Sequence, residues 1–326
     1  MTELHLSSKI GHDDIATDPI RKGFGRGLKR AGDENEQVVA LCADLTDSTQ
    51  MSMFRDAHPD RFVEVGVAEQ NLVTVASGMA AMGKIPFTSS YAAFSPGRNW
   101  EQIRTTICLN EQPVKIVGSH AGLYTGADGA THQILEDIAL MRVLPQMVVI
   151  APGDAIESEK ATLAIAKNGK PSYIRMAREA TPVFTTEKTP FEIGKAYVLK
   201  EGSDITLFGT GTMTYQCLLA AKLLSEEDIN AEVVHVPTIK PLDEATVLAS
   251  IQKTQKAVSV EEAQIAGGFG SALAELFSEK YPAPLTRMGM KDRFGESGTP
   301  AELLEHFELT AKHIAAQAHT IIDSHT

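Results

Sequence analysis

Residues 118–133, GSHAGLYTGADGATHQ, place two imidazoles and one carboxylate in a stretch of mostly small side chains. His120, Asp128 and His132 are separated largely by glycine and alanine. Such a loop lets a ligand approach the backbone closely while titratable groups face it. Because imidazoles titrate near neutral pH, this set suits proton transfer to and from hydroxyl groups.

Two other interpretations of this loop stay open on the residues alone. Each histidine taken singly also fits a structural role, since histidines in ordinary buried networks form similar hydrogen bonds. The spacing His-x7-Asp-x3-His could supply three zinc ligands. The glycines make the segment a loop, however, and it lacks the helical platform of the zinc-protease motif. We therefore expect no metal site within this chain.

Composition narrows the class of protein. The 326 residues are 43% hydrophobic, which is enough for two globular domains with a core each. A net charge of −12 without a basic stripe argues against nucleic acid as a partner, so anionic substrates need local Arg or His. Three dispersed cysteines indicate a reducing cytoplasm. With no apolar signal core or spanning run, we expect no membrane association.

Short apolar runs alternate with amphipathic segments, which predicts an α/β fold with parallel sheets covered by helices on both faces. In the first part of the chain we predict strands at 37–43, 61–66, 84–89, 113–118, 146–150 and 172–176. Helices are expected from Asp18-Pro19 onward and at 67–82, 98–111, 133–143 and 154–168.

A polar stretch, Thr181–Pro190, interrupts the alternation and is interpreted as a linker. Beyond it we predict strands at 204–209, 231–236 and 257–260, with helices at 213–225, after Asp243 and after Gly270. The chain is thus predicted to hold two doubly wound domains, residues 1–185 and a smaller one at 186–326.

Polar residues follow four of the predicted strands. Asp44, Glu69, His120 and Arg178 come after the strands at 37–43, 61–66, 113–118 and 172–176. Ligands of open parallel sheets bind beyond the carboxyl ends of the strands. These four side chains are therefore expected to converge on one rim.

The motifs, taken in order, resemble the thiamine-diphosphate-dependent transketolases. The resemblance is carried by ADLTDS (43–48), VGVAEQN (65–71), PFTSSYAAF (86–94), SHAGLYTGADGATHQ (119–133) and Arg178. The stretch GMKDRFGESGTPAELLEHFELT (289–310) is similar to the end of their C-terminal domain. The resemblance covers about residues 15–315. It implies a parallel-sheet pyrimidine-binding domain followed by a smaller transketolase C-terminal α/β domain.

One motif of that family is missing. Transketolases normally begin with a domain that binds the cofactor diphosphate through Gly-Asp-Gly and a downstream Asn, both serving a metal ion. Here Gly32-Asp33 is followed by Glu34, and Gly153-Asp154 by Ala155. The resemblance therefore implies the C-terminal subunit of a split transketolase. Its partner would be an N-terminal subunit that carries the GDG motif and binds most of the diphosphate and Mg²⁺, in an α2β2 heterotetramer.

The resemblance also assigns roles around the cofactor. Glu69 matches the carboxyl group that hydrogen-bonds the aminopyrimidine ring and drives its change of tautomer. Tyr91 and Phe94 match aromatic positions that pack on the pyrimidine, and Asp44 is placed near the cofactor. The family often has a further aromatic residue where this chain has Gly97.

Other residues match the sugar-binding positions of the family. Asp128 would bind the hydroxyl next to the reacting carbonyl, and His132 would hydrogen-bond substrate oxygens during carbon–carbon bond cleavage and formation. The phosphate of the sugar would be held by Arg21, Ser48, His120 and Arg178. The planar guanidinium suits phosphate because it forms paired, charge-assisted hydrogen bonds. Arg175 is a rival to Arg178 for this position.

The function implied is transfer of a two-carbon ketol unit from a ketose phosphate to an aldose phosphate, as in the pentose phosphate pathway. Two alternatives share the cofactor: the beta subunit of a 2-oxo acid dehydrogenase, and a deoxyxylulose phosphate synthase-like enzyme. The dehydrogenase subunits do not usually carry the His-Asp-His loop. A third alternative is a non-catalytic assembly or regulatory subunit.

Overall fold

The computed structural model describes residues 4–324, which fold into two α/β halves. The strands of the first half are β1 (Thr17–Pro19), β2 (Val38–Cys42), β3 (Phe62–Glu64), β4 (Ile85–Tyr91), β5 (Lys115–Ser119), β6 (Val148–Ile150), β7 (Ser172–Arg175) and β8 (Ala180–Pro182). Its helices are α1 (Ile20–Glu34), α2 (Ser52–Ala57), α3 (Glu69–Ala81), α4 (Trp100–Gln102), α5 (Asp137–Arg142) and α6 (Ala155–Lys167). Short 3-10 segments occupy Pro59–Arg61 and Leu123–Asp128, and a π-helical segment occupies Ile103–Cys108.

The second half has its own set of elements. Its strands are β9 (Tyr197–Lys200), β10 (Ile205–Gly209), β11 (Ala231–His235), β12 (Thr238–Lys240), β13 (Ala257–Gln264) and β14 (Leu285–Met290). Its helices are α7 (Met213–Ser225), α8 (Glu244–Thr254), α9 (Phe269–Lys280), α10 (Pro300–His306) and α11 (Ala311–Asp323).

The main sheet has seven strands in the order β12-β6-β7-β5-β4-β2-β3. All neighbours are parallel except β12, which runs antiparallel to β6 and comes from the second half of the chain. Every residue of β2 and β5 is buried, as expected for strands covered on both faces. Separate apolar clusters line the two faces, one containing residues of α1 and α6 and the other residues of α3 and α5.

The second sheet has five strands in the order β14-β13-β10-β11-β9, parallel except for β9. Two of its three internal strands, β10 and β11, are buried along their whole length. The prediction of two parallel-sheet α/β units is therefore confirmed. Within residues 4–324, the helices are too short or too polar to cross a bilayer.

Several predicted boundaries differ from the observed ones. The first helix starts at Ile20, because Pro19 has an extended backbone and pairs with Ala180 in a small antiparallel sheet. Asp18 does not cap this helix; its carboxylate binds Arg26. The helix predicted at 98–111 is a short α4 followed by the π-helical segment. The one predicted at 133–143 begins only at Asp137, since His132 and Gln133 hydrogen-bond back to Gly129.

The segment interpreted as a linker is docked against the first half. Its beginning forms β8, and Phe184 is fully buried. The carboxylate of Asp154, at the start of α6, accepts hydrogen bonds from the backbone N–H groups of Phe184 (2.9 Å) and Thr185 (2.6 Å). The polar composition of the segment did not predict that it is docked, because the acceptor of these hydrogen bonds lies 30 residues away in sequence.

A buried ionic network joins the two halves. Arg175 on β7 donates to Asp137 (2.9 Å) and to Glu262 on β13 (3.3 Å). Tyr173 and Thr212 donate their hydroxyls to the same two carboxylates, at 2.7 and 2.6 Å. Burial raises the pKa of Glu262, and the charge of Arg175 opposes that rise. The guanidinium therefore compensates two carboxylates that water does not reach.

We expect Arg175→Met to lower the free energy of unfolding by about 3–5 kcal/mol, because it leaves two buried carboxylates without a cation. Urea denaturation followed by circular dichroism measures this. Arg30→Met is the matched control: it removes an exposed guanidinium paired with Glu34 and Glu159, for which about 0–1 kcal/mol is expected. Equal urea midpoints for the two variants would contradict the assignment.

Candidate active site

The predicted site residues gather at one rim of the main sheet, beyond the carboxyl ends of five adjacent strands. Ser48 follows β2, Glu69 follows β3, Tyr91 ends β4, His120 follows β5 and Arg178 follows β7. Parallel strands place their carboxyl ends on the same edge, so residues far apart in sequence meet there. The rim divides into a part around Glu69 and a part around two arginines.

Glu69 is the first residue of α3, and its side chain is only 1% exposed. Its Oε2 pairs with the guanidinium of Arg98 at 2.8 Å, and its Oε1 accepts a long hydrogen bond of 3.4 Å from Ser90. The amide of Asn99 donates to the backbone carbonyl of Glu69 at 2.8 Å. The sequence interpretation missed Arg98. The sequence does single this residue out in one way: Arg98 carries the only charge between Lys84 and Glu101.

Four rings form a continuous cluster, which Arg98 links to Glu69 because its guanidinium lies over Phe94. Tyr91 and Phe94 stack with ring centroids 6.1 Å apart, and Tyr91 stacks on His120 at 3.8 Å. His132 meets both aromatic rings edge-on, at 5.9 and 5.5 Å. The predicted aromatic pair and both predicted histidines are therefore brought together. Residues expected to contact a cofactor are continuous with residues expected to contact a substrate.

The segment 118–133, called the histidine loop below, is held by both halves of the chain. At Gly122 the backbone has φ of 75°, and a Cβ there would collide with Glu262 and Arg175. The amide of Gln133 donates to the carbonyls of Gly126 (2.8 Å) and, in the second half, Glu296 (2.9 Å). The fold thus fixes the ends of the segment that carries Asp128 and His132.

His120 is buried, with φ of 57° at the end of β5. One ring nitrogen, Nδ1, shares a hydrogen bond of 2.8 Å with Ser119 Oγ. Burial lowers the pKa of His120 to about 3, and the charges of Arg21, Arg178 and His132 act in the same direction. His120 is therefore neutral at physiological pH and offers a hydrogen bond rather than a positive charge.

Two guanidinium groups lie beside this histidine. Arg21 donates to the carbonyls of Arg178 (3.0 Å) and Ser48 (2.6 Å), so Ser48 meets it through the backbone rather than through its hydroxyl. Arg178 pairs with Asp128 at 3.5 Å and with Glu179 at 3.2 Å. Burial and the neighbouring Arg178 lower the pKa of Arg21. Since a guanidinium has five N–H donors, both keep donors for an anion.

Two other candidate residues make none of these contacts. Arg175, the rival to Arg178, is committed to the buried network between the halves. Asp44 lies at the same rim, in a shallow cavity lined also by Ser48, Asp47 and Glu64. Its backbone N–H donates to Glu64 at 2.7 Å, with φ of 58°.

The residues around Glu69 fit a planar heteroaromatic ring. A carboxylate offers about four lone-pair sites, and Oε1 of Glu69 has one long hydrogen bond, so it can accept another from a ring nitrogen. Tyr91 and Phe94 supply aromatic faces for stacking. Between residues 4 and 324, no cluster of three or more His, Cys, Asp or Glu side chains could hold a metal ion.

Both halves of the chain match known protein families. Residues 18–183 match the family described as transketolase, pyrimidine binding domain, and residues 194–314 match transketolase, C-terminal domain. A protein of Methanocaldococcus jannaschii, provisionally named a transketolase C-terminal section, is 43% identical over 91% of this chain and 94% of its own length. A 6-deoxy-6-sulfo-D-fructose transketolase subunit of Clostridium sp. strain MSTE9 is 42% identical over 89% of this chain and 90% of its own.

A solved structure extends the likeness to three dimensions. A split-gene transketolase, described as an inactive beta4 tetramer, superposes with a TM-score of 0.88 and 43% identity, over 94% of this chain and 98% of that one. The 1-deoxy-D-xylulose-5-phosphate synthase of Symbiobacterium thermophilum is 36% identical over 96% of this chain but only 49% of its own length. Transketolase-family enzymes generally use thiamine diphosphate. This chain belongs to the transketolase family, of which it carries the pyrimidine-binding and C-terminal domains.

Proposed function

We propose that this chain is the C-terminal subunit of a two-chain transketolase that transfers a two-carbon ketol unit from a ketose phosphate to an aldose phosphate. The observation that carries the proposal is the continuous ring cluster from the Glu69 pocket to the arginine pair. It places groups suited to a pyrimidine and groups suited to a sugar phosphate on one rim. The three free, buried cysteines are consistent with action in the cytoplasm.

The cofactor end consists of Glu69, Tyr91 and Phe94. When bound, thiamine diphosphate supplies a nucleophilic carbon that stabilises negative charge on the ketol unit. Glu69 would hold the pyrimidine ring by a hydrogen bond at Oε1, and that hydrogen bond would favour the reactive tautomer. Tyr91 and Phe94 fix the plane of the ring and exclude water from the buried carboxylate. Asp44 lies at the same rim, and we propose that it lines the cavity wall next to the cofactor.

The sugar end consists of the histidine loop and the arginine pair. Asp128 accepts a hydrogen bond from the hydroxyl next to the reacting carbonyl, and Arg178 orients its carboxylate. His132 lies edge-on to both aromatic rings, where its Nε2 can donate or take a proton at a substrate oxygen. The terminal phosphate is held by Arg21, Arg178, neutral His120 and Ser48.

The diphosphate and Mg²⁺ are proposed to be bound mainly by an N-terminal partner subunit with a GDG motif, in an α2β2 heterotetramer. Two observations support this proposal. The sequence lacks Gly-Asp-Gly, and the similar split-gene transketolase is described as an inactive beta4 tetramer. An active site whose two halves lie on different polypeptides is complete only when both assemble, and closed two-fold symmetry is common among oligomers.

A sulfonated ketose is a second candidate substrate. The anion subsite has two guanidiniums, but Asp128 and Glu179 balance Arg178, and His120 is neutral. Such a subsite is less positive than its residue types suggest, which suits a monoanionic sulfonate. The 42% identical Clostridium subunit is named for a sulfonated fructose.

Reconstitution tests the proposal directly. The chain mixed with its N-terminal partner, thiamine diphosphate, Mg²⁺, xylulose 5-phosphate and ribose 5-phosphate is expected to form sedoheptulose 7-phosphate, and neither chain alone should do so. Parallel mixtures with 6-deoxy-6-sulfofructose as donor test the second substrate. Release of carbon dioxide from pyruvate without any ketol transfer would show a 2-oxo acid enzyme or a deoxyxylulose phosphate synthase instead.

In the reconstituted complex, Glu69→Ala is expected to lower turnover at least about 10²-fold, the lower end for loss of an acid–base group. Steady-state kinetics with saturating cofactor measures it. Glu101→Ala, which removes an exposed carboxylate on the following helix, serves as the control and should keep wild-type turnover. Near-normal turnover of Glu69→Ala would favour the non-catalytic assembly or regulatory role.

Neutral His120 predicts a pH dependence of stability. Its pKa falls from 6.5 in the unfolded chain to about 3 in the folded one, so the unfolded chain binds the extra proton between these values. The stabilisation is complete above about pH 6.5 and is lost as pH falls through that window, by up to about 1.4 kcal/mol per pH unit. His120→Gln should show a shallower loss of unfolding free energy between pH 6.5 and 4. An unchanged slope would contradict the neutral assignment.

A further inference from the structure

We infer that Arg98 is a positioning residue for Glu69: it holds one carboxylate oxygen so that the other is presented to the cofactor's pyrimidine ring. This inference rests on the proposed function and adds a residue that neither the family motifs nor the sequence interpretation assigned. It is carried by the contacts around Glu69.

The two oxygens of Glu69 have unequal surroundings. Oε2 accepts a charge-assisted hydrogen bond of 2.8 Å from Arg98, whereas Oε1 has only the 3.4 Å contact with Ser90. A charge-assisted hydrogen bond is roughly twice as strong as a neutral one, so Oε2 is the fixed oxygen. The carboxylate plane is thereby set, and the under-occupied Oε1 is the acceptor left for a ligand.

Arg98 is itself held in place. Its guanidinium lies over the ring of Phe94, 4.7 Å from the centroid, and its backbone N–H donates to the carbonyl of Phe94 at 2.9 Å. The preceding Gly97 has no space for a side chain, since a Cβ would collide with the carbonyl of Ala93. A turn this tight brings Arg98 back over the aromatic ring. Gly97, where the family often has an aromatic residue, thus permits the turn that positions Arg98.

Asn99 completes the support from the same loop. Its side-chain amide donates to the backbone carbonyl of Glu69 at 2.8 Å and to Ser95 Oγ at 3.1 Å. Adjacent residues of one loop therefore hold Glu69 at two points, Arg98 at the carboxylate and Asn99 at the main chain. Two such contacts fix both the start of α3 and the direction of the side chain.

The geometry favours positioning over two simpler roles for Arg98. An ordinary surface ion pair has two solvated partners, whereas here Glu69 is 1% exposed and Arg98 50% exposed. A buried carboxylate without its cation is costly, so Arg98 compensates the Glu69 carboxylate and orients it before any ligand arrives. If Arg98 blocked the pocket, it would have to occupy both carboxylate oxygens of Glu69. Within the described residues, Arg98 hydrogen-bonds Oε2 of Glu69 and not Oε1.

A double-mutant cycle on cofactor affinity tests the inference. Thiamine diphosphate binding to the reconstituted complex is measured by isothermal titration for wild type, Arg98→Met, Glu69→Gln and the double variant. Arg98→Met should weaken binding about 10- to 100-fold, the loss expected for a hydrogen bond to a charged group. In the Glu69→Gln background, the same change should alter affinity less than about 2-fold, because Arg98 acts through the carboxylate.

Two further variants separate positioning from damage. Arg98→Lys keeps the charge but not the planar stack on Phe94, and it should recover part of the lost affinity. Arg104→Met removes an exposed cation from the following π-helical segment and should leave affinity unchanged. Circular dichroism and thermal melting of each chain confirm that it folds.

The possible outcomes are distinct. Unchanged or tighter binding by Arg98→Met overturns the inference, the latter showing that Arg98 blocks the pocket. An equal loss in both backgrounds also overturns it and indicates a structural role. If the wild-type complex binds no thiamine diphosphate, the proposed function fails together with the inference. Wild-type binding with additive losses contradicts the inference alone.

Discussion

The contact on which the site depends most is the buried pairing of Arg175 with Asp137 and Glu262. It ties β7 of the main sheet to β13 of the second half, and Glu262 also accepts a hydrogen bond from the backbone of Tyr124 at 3.1 Å. The histidine loop turns at Gly122 against this pair. A charge network that water does not reach is costly to leave incomplete, so it holds the loop in one arrangement. The main chain that leads to Asp128 and His132 is thus anchored by an interaction in which neither residue takes part.

Local sequence predicted much of the fold. Alternating apolar runs located the parallel strands, and the rule for carboxyl ends of strands correctly placed Glu69, His120 and Arg178 on one rim. What local sequence could not predict were partners distant along the chain. Pro19 is typical of the first residue of a helix, yet it pairs with Ala180. The stretch after Thr181 has the composition of a linker, yet Asp154 binds its amides. Both depend on tertiary contacts that composition does not encode.

The candidate site shows the same division. The motifs located His120, His132 and Glu69, but they did not predict which groups surround these side chains or whether His120 is charged. His120 looks like a cation for phosphate until burial and two arginines are taken into account, after which it is a neutral group. Arg98 looks like a solvated loop residue until its guanidinium is found between Phe94 and Glu69. Charge in a site is set by desolvation and by adjacent charges, and both are properties of the folded chain.

The seventh strand of the main sheet has a consequence for how the halves relate. β12 lies beyond the predicted boundary at residue 185, yet it covers the edge of β6 through Thr238 and Lys240. A polypeptide cut at that boundary would expose the N–H and C=O groups of β6, and an open edge strand is a template for pairing with another molecule. The second half thus also protects the first from self-association.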